Sequence, residues 1–402
     1  MSANTGNRGE VAVIALVGYA HAVSHFFHLM IPPLFPWLMQ DFDLSFTEAG
    51  FLMTVFFVVS GTGQALAGFV VDRLGARPVL FSGVLMLVLS GIALGLAQNY
   101  PMLMLAAALA GAGNSVFHPA DFTLLNHRVS LPRLGHAFSV HGLSGNLGWA
   151  AAPFLMTSVA FFAGWRMAGF AAALVGLVAL LVLYVGRDYL KVTPVAVVDG
   201  AHADASAGPA IGFLRSGVVW LCFLFFLLST AAFGALQNYS TASLQNIYAL
   251  SLAGAASCLI AYLLGGAGGI AVGGFIATRH AQERIIASGL TTGAAIGLLL
   301  AGGVVAGWAV LPLMAVMGAC VGIAGPSRDL LVRKAATHGL GKASFGRVYG
   351  FVYSGLDVGL ATAPLIFGPL MDGGHFNALW VGVALLQGLA VISALRVGRV
   401  CN

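Results

Sequence analysis

Long apolar stretches, separated by short polar loops, are the feature that most constrains how this chain can fold. A transmembrane α-helix needs about 20 consecutive, mostly apolar residues. Twelve stretches meet that requirement, near residues 11–39, 49–71, 79–98, 101–126, 135–160, 164–186, 216–238, 251–277, 285–306, 308–333, 345–370 and 375–395. Only 8% of the 402 residues are charged, against roughly 25% in soluble domains. The sequence therefore predicts an all-α membrane protein with twelve transmembrane helices.

The first stretch carries prolines that interrupt a helix. Pro32, Pro33 and Pro36 lie in its outer third, and each proline removes a backbone donor and restricts φ. We expect this span to be tilted or to contain a break.

The basic residues predict how the chain is oriented. Lysine and arginine concentrate in every second loop, whereas the loops between them carry Asp41, Asp43, Glu48 and Asp372. Cytoplasmic loops are the ones enriched in basic residues, which predicts a multi-pass protein of the bacterial inner membrane with both termini in the cytoplasm. The net charge of +5 is thereby explained by membrane topology, and no nucleic-acid partner is expected.

The two halves of the sequence resemble each other. Residues 68–73 read Gly-Phe-Val-Val-Asp-Arg, and residues 274–279 read Gly-Phe-Ile-Ala-Thr-Arg about half a chain later. Residues 119–125 are echoed in the same way by residues 326–331. A third echo relates Gly135, Phe138, Asn146, Gly148 and Pro153 to Gly346, Tyr349, Asp357, Gly359 and Pro364. Self-similarity of this kind indicates a duplicated unit.

A polar segment separates the halves. Residues 187–215 are rich in Ala, Gly and Pro, which is typical of a flexible connection. The sequence predicts two pseudo-symmetric six-helix bundles, residues 1–186 and 216–402, joined by a cytoplasmic linker. A parallel duplication of six helices is the architecture of alternating-access carriers, whose site lies between the halves near the membrane midplane.

The loop after the second span reads Gly68-Phe-Val-Val-Asp72-Arg73-Leu-Gly75-Ala-Arg77. At this position in a twelve-span chain, it resembles the signature loop of the major facilitator superfamily of transporters. Gly75 permits a tight turn, Asp72 can cap or pair at helix ends, and Arg73 and Arg77 are predicted to hold a cytoplasmic gate. The resemblance implies the major facilitator fold and a monomer.

A narrower resemblance lies in the fourth and fifth spans. Phe117-His118-Pro119 is followed by Arg133-x-Gly135-x-Ala137-x-Ser139 and then by Gly142, Gly145, Gly148 and Pro153. This stretch is similar to the fosmidomycin-resistance branch of drug exporters, which implies efflux driven by the proton gradient. The first span departs from that branch because it is rich in histidine, so the substrate stays open.

Three histidines of the first span, His21, His25 and His28, have the i, i+4, i+7 spacing that places side chains on one face of a helix. We predict that they line a proton or substrate pathway, because histidine titrates near neutral pH. A transition metal or metal chelate is an alternative ligand for imidazole. The other alternative is hydrogen bonding between helices with no role in transport.

Asp357 lies twelve residues into the eleventh span, about 18 Å along the helix and near the midplane. A carboxylate at this depth is neutral or paired, and we predict that Asp357 couples transport to protons. A structural hydrogen bond to a neighbouring helix is the alternative. Asn146 stands at the matching step of the first half, and both Asn146 and Tyr353 are predicted to line the same pathway.

Further ionisable residues lie toward the predicted cytoplasmic ends of the spans. His118 and His141 are assigned to the proton or substrate pathway, and Asp121, Arg328 and Asp329 to the cytoplasmic gate. Asp121 and Arg328 are repeat mates of opposite sign, which predicts a salt bridge between the halves. Pairing within one bundle is the alternative.

Motifs of enzymes and of ATP-driven pumps are missing from the sequence. It contains no glycine-rich loop ending in Gly-Lys-Ser/Thr, no GxSxG and no HExxH. The cysteines, Cys222, Cys258, Cys320 and Cys401, form no CxxC pair, so neither a disulfide framework nor a zinc site is expected. We expect no enzymatic activity, no cofactor and no resident metal.

These patterns together predict a secondary transporter that exports a small amphiphilic molecule or drug in exchange for protons, with the lipid bilayer as its solvent. One alternative keeps the fold and changes the cargo to a metal ion, a metal chelate or a nutrient. An alternative of another class is a transporter-like membrane sensor or assembly component.

Overall fold

The computed structural model describes residues 2–191, 212–277, 281–337 and 345–401. Within these ranges every regular element is helical. Twelve helical segments are long and apolar enough to cross a membrane, which confirms the predicted all-α, twelve-span fold. Residues 192–211, most of the predicted linker, lie outside the described residues.

The described helices separate into two compact units, Met1–Pro194 and Val195–Asn402, and the boundary falls within residues 187–215. The helices of the first unit are α1 Ser2–His28, α2 Phe35–Phe42, α3 Phe46–Leu74, α4 Ala76–Gly95, α5 Tyr100–Asn114, α6 Phe117–Arg128, α7 Leu131–Ala163 and α8 Trp165–Val185. Those of the second unit are α9 Gly217–Tyr248, α10 Leu252–Ile276, α11 Gln282–Ala301, α12 Gly307–Thr337, α13 Phe345–Asp372 and α14 Phe376–Cys401.

The first span is broken where its prolines lie, as predicted. Helix α1 ends at His28, a 3₁₀ turn covers Pro32–Leu34, and α2 begins at Phe35. The break leaves His28 in the last turn of a helix that ends inside the membrane span.

The fourth span is also broken, which differs from the single stretch predicted at 101–126. Helix α5 ends at Asn114 and α6 begins at Phe117. Pro119 has no N–H to donate to the carbonyl of Ser115, and its ring crowds that turn. The break separates Asn114, the last residue of α5, from His118 in the first turn of α6.

Four helix pairs recur in both units, as expected for a duplication. In the first unit α1 packs on α7, α3 on α5, and α4 on both α5 and α8. In the second unit α9 packs on α13, α10 on α12, and α11 on both α12 and α14. Each pair of the second unit stands at the matching step of the repeat.

Glycines allow α10 and α12 to pack at backbone distance. Gly265, Gly269 and Gly273 recur every fourth residue on α10, and a Cβ at any of them would collide with a backbone carbonyl of α12. Because lipid gives little hydrophobic drive for helix association, close contact through small residues holds such pairs together. The carbonyls belong to Ala315, Ala319 and Ile323.

Gly268 and Gly269 are neighbours on α10 and provide a matched test of this packing. A methyl group at Gly269 would collide with the carbonyl of Ala319, whereas Gly268 has no atom within 4 Å of an added Cβ. We expect Gly269→Ala to lower the free energy of unfolding by about 1–3 kcal/mol through overpacking, and Gly268→Ala to cause no loss. Thermal unfolding of both variants in detergent measures the difference. Equal midpoints would contradict close packing of α10 on α12.

Candidate functional site

The histidine stripe of α1 faces the interior of the first unit. His21, His25 and His28 are all buried, although they lie within an apolar span. Their face of α1 packs on α7, with α6 alongside. The spacing therefore produces an internal row of imidazoles and not a surface facing lipid.

The carboxylate of Asp121 lies beside His21, at one end of this row. Asp121 of α6 is fully buried, and Nε2 of His141 on α7 lies 3.0 Å from its Oδ2. Nδ1 of His21 lies 3.6 Å from the same oxygen. Among the described side chains, no lysine or arginine forms an ion pair with Asp121. Its charge is therefore compensated by imidazoles alone.

The rings form a continuous row in which the His21 and His25 planes are tilted by 51° and the other neighbours are stacked. The His21 ring lies on the His141 ring with 3.6 Å between centroids, and 4.2 Å separates it from the His25 ring. His25 is followed by His28 at 4.7 Å and is covered by the indole of Trp149 at 4.3 Å. Aromatic and imidazole faces thus fill the space between α1 and α7.

Two glycines of α7 make room for the row. A Cβ at Gly145 would lie 2.6 Å from Nδ1 of His25 and 3.0 Å from Nε2 of His21. One turn further, a Cβ at Gly148 would collide with the backbone carbonyl of Ala22. The close approach of α7 to α1 therefore depends on both glycines.

The broken fourth span supplies polar partners to the row. Nε2 of His28 donates to Oδ1 of Asn114 at 2.8 Å, and Nδ2 of Asn114 donates to Oγ of Ser60 at 2.8 Å. On the other side of the break, Nδ1 of His118 lies 3.0 Å from Oε1 of Gln64. Because an amide oxygen only accepts, these bonds place a proton on Nε2 of His28 and on Nδ1 of His118.

Two overlapping triplets of ligand atoms lie within this cluster. Single donor atoms of His21, Asp121 and His141 all lie within 4.8 Å of one another, and so do those of His21, His25 and His118. His21 belongs to both triplets. Imidazole nitrogens and a carboxylate at this spacing can bind a proton or a metal ion.

The second unit holds a different polar group. Nε of Arg328 donates to Oδ1 of Asp329 at 2.9 Å, and the hydroxyl of Tyr353 donates to the same oxygen at 3.0 Å. The Arg328 guanidinium also lies 4.9 Å from the ring centre of Phe226. The charges of Arg328 and Asp329 therefore compensate each other, with the rings of Phe226 and Tyr353 in contact with them, where α9, α12 and α13 meet.

Asp357 lies one helical turn after Tyr353 on α13. It is half-buried, and no ion pair joins it to any described side chain. In the second unit it is a mid-span carboxylate without a described cationic partner.

The sequence matches a known family over most of its length. Residues 17–364 match the Major Facilitator Superfamily. The chain belongs to this superfamily. Its members carry small molecules across membranes, so membership indicates a transporter and a multi-pass bacterial membrane protein.

Relatives with different names share the superfamily fold. The chain is 24% identical to the fosmidomycin resistance protein of Escherichia coli, over 71% of this chain and 70% of that one. It is 24% identical to the probable nitrate/nitrite transporter NarK2 of Mycobacterium tuberculosis, over 96% and 95% of the two chains. The crystal structure of a bacterial homolog of the human lysosomal transporter Spinster superposes with a TM-score of 0.69 at 13% identity, covering 98% of this chain and 96% of that one.

The superfamily loop joins α3 to α4 within the first unit. Gly75 separates the two helices with a φ of 85°, a conformation that glycine adopts without strain. Arg73 is exposed and Arg77 half-buried, while the side chain of Asp72 lies outside the described residues. The roles of these residues in a cytoplasmic gate stay a prediction.

Two further predictions concern Asn146 and the pair Asp121 and Arg328. Nδ2 of Asn146 donates to the carbonyl of Gly142 on its own helix. Asp121 and Arg328 each have a partner within their own unit, so the salt bridge between the halves stays a prediction. Sequence reasoning missed Asn114, Gln64, Ser60 and Trp149. Pro119 is the one sequence signal that pointed to the break beside Asn114.

Asn114 is the residue that tests the hydrogen-bonded end of the cluster. Asn114→Ala leaves the buried His28 and Ser60 without their shared partner, which we expect to cost about 1–3 kcal/mol of unfolding free energy. Asn126→Ala is the control, because Asn126 is exposed and donates only to Phe122 on its own helix. The measurement is the thermal unfolding midpoint in detergent. A midpoint for Asn114→Ala equal to that of the control would contradict the His28–Asn114–Ser60 chain.

Proposed function

We propose that this protein is a proton-coupled secondary transporter that exports a small amphiphilic molecule, with Asp357 carrying the coupled proton. Superfamily membership supports transport by alternating access of two helical bundles around a site near the midplane. The basic loops support an orientation with both termini in the cytoplasm. In that orientation the loop at residues 68–77 belongs to the cytoplasmic gate.

Asp357 is the observation that carries the proton-coupling proposal. A carboxylate inside a membrane span costs free energy unless it is protonated, paired or exposed to a water-filled path. Asp357 has no described cationic partner and lies in mid-span. A change in its exposure during the transport cycle would therefore bind a proton on one side of the membrane and release it on the other.

Polar side chains extend from Asp357 along α13. Tyr353 precedes it by four residues, which is about 6 Å along the helix axis, and the Tyr353 hydroxyl donates to Asp329. Arg328 also donates a hydrogen bond to the carboxylate of Asp329. These groups supply a polar route between the mid-span carboxylate and the predicted cytoplasmic end of the second unit.

The direction and class of cargo rest on the resemblance to drug exporters. The relative named for fosmidomycin resistance supports export of a small organic molecule, and the fourth and fifth spans carry the motif shared with that branch. The relative named for nitrate/nitrite transport keeps uptake of a small nutrient as the alternative within the same fold.

A second candidate cargo is a metal ion or metal chelate. The observation that favours it is the pair of ligand triplets in the first unit, which contains more imidazoles than a single proton requires. A sensor or assembly role has no comparable support among the described residues.

The proposal is tested by proton flux in proteoliposomes that contain the purified protein and a pH-sensitive dye. Fosmidomycin, other amphiphilic drugs, nitrate and divalent metals are added in turn on either side of the membrane. We expect a substrate-dependent proton flux that is lost in Asp357→Asn, because the amide cannot bind the proton. Asp372→Asn, at the exposed end of the same helix, is the control and should keep the flux.

Full gradient-driven transport by Asp357→Asn would assign Asp357 a structural role. Transport of a labelled solute without any proton flux in the unmodified protein would replace proton coupling by uniport or by another coupling ion.

A further inference from the structure

We propose that His21, Asp121 and His141 form a binding site for a divalent transition-metal ion, with His25 and His118 available as further ligands. The site lies within the first unit and is separate from Asp357. The side chains of His21, Asp121 and His141 are 3%, 0% and 6% exposed, and their donor atoms lie within 4.8 Å of one another.

The spacing of the donor atoms fits a tetrahedral ion. Zinc binds nitrogen and oxygen ligands at about 2.0–2.1 Å, which separates neighbouring ligand atoms by about 3.3 Å in a tetrahedral site. Oδ2 of Asp121 lies 3.0 Å from Nε2 of His141 and 3.6 Å from Nδ1 of His21. These two separations bracket the value required, and the donor atoms of His21 and His141 lie within 4.8 Å of each other. Because the His21 and His141 rings are stacked with centroids 3.6 Å apart, they would have to turn toward a shared ion to complete the coordination.

The charge of the cluster favours a cation with several ligands. Asp121 is fully buried, and within the described residues its Oδ1 accepts no hydrogen bond. A buried carboxylate without full compensation is costly. A single proton needs one imidazole, and protons on neighbouring imidazoles would repel one another. A divalent ion can instead be bound by neutral imidazoles and the carboxylate at the same time.

The ligand types indicate the class of ion. Imidazole nitrogens suit zinc, nickel and cobalt, whereas magnesium and calcium prefer oxygen. The first unit contains no cysteine, because Cys222, Cys258, Cys320 and Cys401 all follow residue 215. The site would therefore be a nitrogen and oxygen site without thiolate.

Outer hydrogen bonds orient one of the further ligands. Metal-binding histidines usually donate their second ring N–H to a carbonyl or carboxylate, which fixes the tautomer. Nδ1 of His118 makes such a bond to Oε1 of Gln64, and this leaves Nε2 of His118 unprotonated and able to bind an ion. His118 lies edge-on to His21, with ring centroids 5.4 Å apart.

The ligands come from three helices, and this gives the site a measurable consequence. His21 and His25 belong to α1, His118 and Asp121 to α6, and His141 to α7. An ion bound by groups of all three helices would hold them together and stabilise the folded unit, because it binds the native arrangement only.

The experiment is metal binding by the full chain, purified in detergent, freed of affinity tags and treated with chelator. Zinc, cobalt, nickel and, for comparison, magnesium are added separately, and bound metal and thermal unfolding are measured. We expect one zinc, cobalt or nickel ion per chain with a raised midpoint, and no effect of magnesium. His21→Ala and Asp121→Asn should abolish both effects, while the exposed His127→Ala and His375→Ala should keep them.

His141→Gln is the ligand variant to use where His21→Ala or Asp121→Asn fails to fold. Gln64→Ala tests whether His118 is one of the further ligands. It removes only the outer bond of His118, and we expect a loss of affinity of about 10- to 100-fold. The proposal is overturned if the unmodified chain binds none of the three ions, or if binding survives unchanged in the folded variants of His21, Asp121 and His141. Because binding is measured at equilibrium without a gradient, its failure is distinct from failure of proton coupling through Asp357.

Discussion

Hydrocarbon offers no hydrogen bonds, so each polar group within a span has to be satisfied by the protein itself. Asp121 is the clearest case, because it is fully buried and, among the described side chains, only imidazoles form ion pairs with it. The glycine at 145 lets the imidazoles of α1 lie against α7, and Asp121 reaches them from α6. The carboxylate therefore lies where α1, α6 and α7 meet.

The two units share helix packing but differ in chemistry. Asp357 stands where the first half has Asn146, and Arg328 stands where it has Asp121. In the second unit, Asp329 accepts hydrogen bonds from Arg328 and Tyr353. A duplicated scaffold thus carries a ligand cluster in one unit and, in the other, a mid-span carboxylate that forms no ion pair with any described side chain. In our account the first binds an ion and the second carries a proton.

The sequence predicts the spans well because membrane thickness fixes their length, and the prolines after His28 predict the first break. The second break is not predicted by the apolar pattern, since only Pro119 marks it within a continuous apolar run. The i, i+4, i+7 spacing predicts a histidine stripe but not the helices it faces, because those depend on tertiary packing. For that reason Asn114 goes unnoticed, and the sequence leaves Asp121 open between a salt bridge to Arg328 and a partner within its own bundle, without naming His141.

X-ray absorption of the zinc-loaded protein tests the central claim most directly, because it reports the ligands of the ion itself. The account predicts a shell of nitrogen and oxygen at about 2.0 Å with the outer scattering of imidazole rings, and no sulfur at about 2.3 Å. It also predicts that the imidazole scattering weakens when His141 is replaced by glutamine. A shell of sulfur, or one of oxygen alone without imidazole scattering, would contradict a metal site built on Asp121 and its histidines.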